Sequence, residues 1–69
     1  MITNEIGINA GKIWHYLNEN KEVKVKELKK ILKFNEQELN LAIGWLSREG
    51  KLFHYFDDDN SWIICLTEK

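Results

Sequence analysis

Asn35-Glu36-Gln37-Glu38-Leu39-Asn40-Leu41-Ala42-Ile43-Gly44-Trp45-Leu46-Ser47-Arg48-Glu49-Gly50 is the stretch that decides how this chain folds. Leu39, Ala42, Ile43 and Leu46 recur at helical spacing and make one apolar stripe. Asn35 is placed to cap that helix, because its side chain can accept a bond from a backbone N–H two or three residues on. Glu36 and Glu38 fall in the first turn, where the helix dipole favours negative charge. Gly50 stands where the chain must leave the helix with positive φ.

Upstream, residues 3–20 read as a first helix, with Thr3 or Asn4 able to cap it. Ile2, Ile6, Ala10, Ile13 and Leu17 share one arc, flanked by Trp14 and Tyr16. Gly7 and Gly11 lie four apart, and interior helix glycines of this kind suggest close approach by another backbone or a bulky side chain. Asn18 to Lys21 is a polar break. Glu22-Val23-Lys24-Val25 alternates and reads as a short strand. Lys26 to Lys33 returns to helical spacing through Leu28, Ile31 and Leu32, and Phe34-Asn35 is the turn into the third helix.

Downstream of Gly50 the period changes. Leu52 to Phe56 reads as an aromatic-rich strand, Asp57 to Asn60 has turn composition, and Ser61 to Thr67 reads as the return strand. The expected order is helix, short strand, helix, helix, strand, strand. That is an α+β domain: a three-helix bundle with a C-terminal β-hairpin wing, the plan of a winged helix-turn-helix, spanning residues 1–69 as one domain.

Two segments carry a family resemblance. Asn9-Ala10-Gly11-Lys12-Ile13-Trp14 and Ala42-Ile43-Gly44-Trp45-Leu46-Ser47-Arg48-Glu49-Gly50-Lys51 resemble a small prokaryotic family of stand-alone winged-helix proteins of unknown function. The resemblance covers almost the whole chain. It implies a winged helix-turn-helix fold and, by analogy, DNA binding, with no established ligand. Fold alone does not license a function.

Composition narrows the classes. The formal net charge is −1, unevenly distributed. Residues 21–33 carry six lysines against two glutamates, net +4, whereas residues 34–69 carry three cations against seven acids, net −4. No apolar run approaches the ~18 residues of a membrane span. The single cysteine, Cys65, cannot close an intramolecular disulfide and suits a reducing, cytoplasmic setting.

Three chemistries find some support among the residues. For DNA, the third helix would enter the major groove, with Gln37, Asn40 and Arg48 able to read bases and Lys26, Lys29, Lys30 and Lys33 able to touch phosphates. Against it stand Glu36, Glu38 and Glu49 around that helix and Asp57, Asp58 and Asp59 on the wing, since phosphate neutralisation drives most such affinity. Any DNA binding is therefore expected to be weak. For self-association, the last two strands are apolar on both faces, contrary to a sheet with one solvated side. Leu52, Ile64 and Leu66, with Trp62, suit the core, which leaves Phe53, Tyr55, Ile63 and Cys65 pointing outward. Leu41 and Trp45 add a second apolar stripe beside Gly44. Leu41, Trp45, Phe53, Tyr55 and Ile63 are thus the expected interface of a homodimer or of a complex with another protein. For metals, Asp57, Asp59, Ser61 and Glu68 match part of a calcium-loop template, but Trp62 stands where glycine is required. His15, His54 and Cys65 are too few and too scattered for zinc. No nucleophile–base pair or phosphate loop is present, so the expectation is a non-enzymatic module without cofactor or metal.

Overall fold

A computed structural model describes residues 2–67, with side chains from Glu5 onward. The elements in chain order are α1 (Ile2–Asn20), β1 (Glu22–Lys24), α2 (Val25–Leu32), α3 (Glu36–Arg48), β2 (Leu52–Phe56) and β3 (Trp62–Leu66). The sheet order is β1-β3-β2 and both pairings are antiparallel, so β3 is central and the short β1 is an edge. Expected and observed order agree.

The boundaries follow from local chemistry. Asn35 caps α3 with its side chain accepting from the Glu38 N–H at 2.7 Å, and the Glu38 carboxylate accepts from the Asn35 N–H at 2.9 Å. This reciprocal capping box satisfies two otherwise orphaned donors. At the other end Gly50 adopts φ 72°, a conformation that side-chain-bearing residues resist. α1 begins at Ile2, so Thr3 and Asn4, the expected caps, stand within it, and their side chains lie outside the described set. α2 starts one residue earlier than its lysine pattern suggests, because Val25 turns inward as helix and is buried. It ends at Lys33, which takes a left-handed φ of 59° and swings Phe34 into the core.

The helices pack on one face of the sheet. Ala10, Ile13 and Leu17 of α1, Val25 and Leu28 of α2, and Leu39, Ala42, Ile43 and Leu46 of α3 meet Val23, Leu52 and Ile64 in one core. Ile13, Leu28 and Ile64 are fully buried. The stripes of α1 and α3 are the ones their periodicity indicates; Ile6 is half-buried, and the side chain of Ile2 lies outside the described set. The glycines behave otherwise than expected: a Cβ at Gly7, Gly11 or Gly44 would meet nothing within 4 Å. Among the described residues, no neighbour uses the space they leave.

Candidate functional site

The uncovered face of the sheet is built by strand parity. Phe53 pairs with Cys65 and Tyr55 with Ile63, while β1 sets Glu22 against Cys65 and Lys24 against Ile63. All six side chains therefore leave the face opposite the helices. Phe53 is 57 % exposed, with its ring centroid 6.4 Å from that of Tyr55. The Tyr55 hydroxyl donates to the Glu22 carboxylate at 2.5 Å, so its side chain crosses the central strand to reach the far edge. This hydrogen bond, with lesser desolvation and the charges of Glu22, Cys65 and Asp57, pushes the Tyr55 pKa up to about 12.

That strap corrects one expected interface residue. Ile63 does point outward, but it is only 7 % exposed. Its flanking partners, Lys24 and Tyr55, lie on either side of it on the central strand. Ile63 therefore offers a partner almost no surface, and Phe53 dominates this face. Phe56, at 62 % exposed, is a site residue that the sequence pattern did not isolate. It has core parity but lies at the end of the outer strand β2, beside the turn. Its place next to an acidic turn was the available signal.

On α3, Gln37, Asn40, Leu41, Gly44 and Arg48 point away from the core stripe, and Leu41 is 39 % exposed. Trp45 is the second correction: it is partly buried and packs against the core, so it is a structural side chain before it is an interface one. The reason is angular, since Trp45 lies on the same flank of α3 as the buried Ala42 three residues before it. Ile8 on α1 is 61 % exposed and adds a further apolar spot that periodicity alone did not single out.

The basic residues divide. Lys26 and Lys29 share a groove of about 490 Å³ with Lys24, Glu36, Asn40, Asp59 and Trp62, at the junction of α2, α3 and the wing. Lys29 is partly neutralised there by Glu36, 3.7 Å away. Gln37 lies apart, in a smaller cleft of about 220 Å³ with Glu38, Leu41 and Glu5. Lys30, Lys33 and Arg48 line neither. So of the seven expected nucleic-acid contacts, three converge on one groove: Lys26, Lys29 and Asn40.

The wing is anchored by polar links. Asp57 Oδ1 accepts from the backbone N–H of Asp59 and of Ser61, each at 2.9 Å, and Asn60 turns the chain at φ 65°. This is a tight hairpin loop with a left-handed residue near its end. His54 ties the wing to α3. Its Nδ1 accepts from the Trp62 indole N–H at 3.0 Å, and its Nε2 lies 2.7 Å from Ser47 Oγ. Indole can only donate, so a neutral His54 carries its proton on Nε2 and donates to Ser47. Within the calcium template, the Asp57 carboxylate is engaged by backbone bonds of its own turn, and Glu68 lies outside the described residues. Among the described residues no cluster of three or more His, Cys, Asp or Glu side chains is arranged to hold a metal ion.

Three helices with a hairpin following the third, and a short strand from the first inter-helix connection added to its far edge, define a winged helix-turn-helix protein. The chain belongs to the family described as Winged helix-turn-helix domain (DUF2582), whose model matches residues 1–66. It is 43 % identical over 65 residues to the uncharacterized protein MJ1608 of Methanocaldococcus jannaschii, covering 90 % of each chain. The solution structure of protein BT2368 from Bacteroides thetaiotaomicron is similar, with a TM-score of 0.77 at 35 % identity. That likeness covers 91 % of this chain and 77 % of the other. No described helix is long and apolar enough to cross a membrane.

Proposed function

We propose that this domain is a non-enzymatic, cytoplasmic binding module that works as a homodimer, using the uncovered face of its sheet to pair and leaving Leu41 on α3 for another protein. The observation that carries this reading is Phe53, more than half exposed on a sheet face that no described helix covers. Burying the open part of a phenylalanine, on the order of 100 Å² of its ~150–250 Å², contributes ~2.5 kcal/mol before the costs of association. A two-fold axis uses the patch twice. Sedimentation over a wide concentration range tests it. Wild type should dimerise and Phe53→Ser should shift it toward monomer with its helix content unchanged, while Leu41→Ser should leave the dimer intact. A wild type that stays monomeric at high concentration would sink the reading.

The groove between α2 and the wing favours one second reading, a dimeric regulator contacting DNA through α3 and the lysines of α2. It places Lys26, Lys29 and Asn40 together. Asp59 in the same groove and the acidic wing oppose it, so affinity should be weak and fall steeply with salt. The triple variant Asp57→Asn/Asp58→Asn/Asp59→Asn removes three charges, and the amide oxygen introduced in place of the Asp57 carboxylate can still accept the two turn bonds. It should raise binding to random duplex if the wing faces phosphate. Tight, sequence-selective binding lost in Arg48→Ala or Asn40→Ala would make this the better account.

A further inference from the structure

One histidine joins three elements of the fold. His54 on β2 and Trp62 on β3 are diagonal neighbours on the helical face of the sheet, since His54 pairs with Ile64 and Phe56 with Trp62. Their ring centroids lie 5.8 Å apart and their planes are 24° from parallel. The Trp62 indole N–H donates to His54 Nδ1 at 3.0 Å, and Nε2 lies 2.7 Å from Oγ of Ser47, near the end of α3. His54 is exposed, so water can deliver a proton to its ring.

The charge state of the ring decides whether this link can exist. Indole only donates, whereas a serine hydroxyl donates or accepts. Neutral His54 with its proton on Nε2 satisfies both partners. Charged His54 carries a hydrogen on each nitrogen, so Nδ1 can no longer accept, and turning the ring over gives no relief. The bond to Ser47 survives; the bond to Trp62 is lost. No neighbouring charge competes for the ring. β2 packs against β3 and α3. Cys65 of β3 leaves the opposite face, with Tyr55 of β2. Glu36, Glu38 and Arg48 lie on α3, Glu49 follows it, and the flanking turns carry Lys51, Asp57, Asp58 and Asp59. Among the described residues none of these is hydrogen-bonded or ion-paired to the ring.

We propose that His54 is an acid-sensitive latch: neutral, it holds Trp62 in the wall of the groove between α2, α3 and the wing; charged, it lets Trp62 go. Trp62 lines that groove together with Lys26, Lys29, Glu36, Asn40 and Asp59, so proton uptake at His54 is coupled to the shape of the groove. The closed latch excludes a proton that the open one binds, so acid opens it by mass action. Imidazole is the side chain that ordinarily changes charge between about pH 5 and 8. The latch goes beyond the readings above and holds whatever occupies the groove.

Nuclear magnetic resonance on the 15N-labelled protein, from about pH 8 down to about pH 5, tests it. At the alkaline end the ring nitrogens of His54 should report the Nε2–H form. The Trp62 indole N–H, assigned by its loss in Trp62→Phe, should lose protection with the midpoint of the His54 ring. The loss should be ~2–13-fold, measured against free tryptophan at the same pH, which is the worth of one net hydrogen bond. The side-chain amide of Asn40 should shift with that midpoint, while the backbone amides of the core keep their shifts. In His54→Gln, which cannot change charge, the indole should show no such response. An Nδ1–H form at the alkaline end, indole protection unchanged through the His54 titration, a response that persists in His54→Gln, or loss of the core amide shifts at the same midpoint would overturn the latch. An Asn40 amide that does not move would overturn its coupling to the groove.

Discussion

Asn35→Ala removes the cap of the helix on which the whole domain is organised. Its side chain accepts the Glu38 N–H at 2.7 Å, and its own N–H is held by the Glu38 carboxylate. Both bonds are solvent-exposed, so water can replace part of what is lost, and the effect belongs near the centre of the range for cap removal, ~1 kcal/mol. Unfolding entropy of ~2.1 cal/mol/K per residue over 69 residues turns that into a Tm lower by ~7 °C. Glu38→Gln keeps an acceptor for the Asn35 N–H and loses only the charge at the helix start, so it should cost ~0.3 kcal/mol. Asn35→Asp should fall close to wild type. The assay is thermal and urea unfolding by circular dichroism at one fixed protein concentration, since a dimer makes Tm concentration-dependent. In Asn35→Ala/Glu38→Ala the losses should be less than additive, because the two side chains form one reciprocal unit. If Asn35→Ala unfolds within a degree or two of wild type, the cap contributes nothing and α3 is held by tertiary packing alone.

Lys33 carries a Cβ in the left-handed region that ends α2, so Lys33→Gly should raise stability by ~1 kcal/mol, read as a higher urea midpoint with an unchanged slope. Ile64 is fully buried on the central strand. Ile64→Ala should therefore cost ~2–5 kcal/mol and unfold most of the domain, whereas a loss of under ~1 kcal/mol would mean the core repacks around it. The Tyr55 phenolate, followed by its absorbance on alkaline titration, should form at a pH of about 12 in wild type and closer to the ordinary tyrosine value in Glu22→Gln. The sign follows from linkage. The folded pKa lies above the unfolded one, so this bond's contribution to stability is complete below the ordinary tyrosine pKa near 10 and is lost as pH rises through about 12.

The sequence by itself determined most of what depends on near neighbours. The change from a 3.6-residue to a two-residue period after Gly50, the cap at Asn35 and the acidic turn at Asp57 to Asn60 are each set within a few residues, and all are present in the fold. Strand parity likewise assigned Phe53, Tyr55 and Ile63 to the outer face correctly. Only the tertiary structure decided how much of each side chain remains open. Ile63 became covered because two neighbouring strands flank it and Tyr55 reaches across to Glu22, a partner 33 residues away. Trp45 became half core because it packs against the buried cluster that residues of all three helices and the sheet build together. The convergence of Lys26, Lys29 and Asn40 with the wing, and the Trp62–His54–Ser47 link, also join separate elements of the fold. Periodicity reports which side of an element a residue takes. Exposure is set by what the other elements place there, and that information is not local.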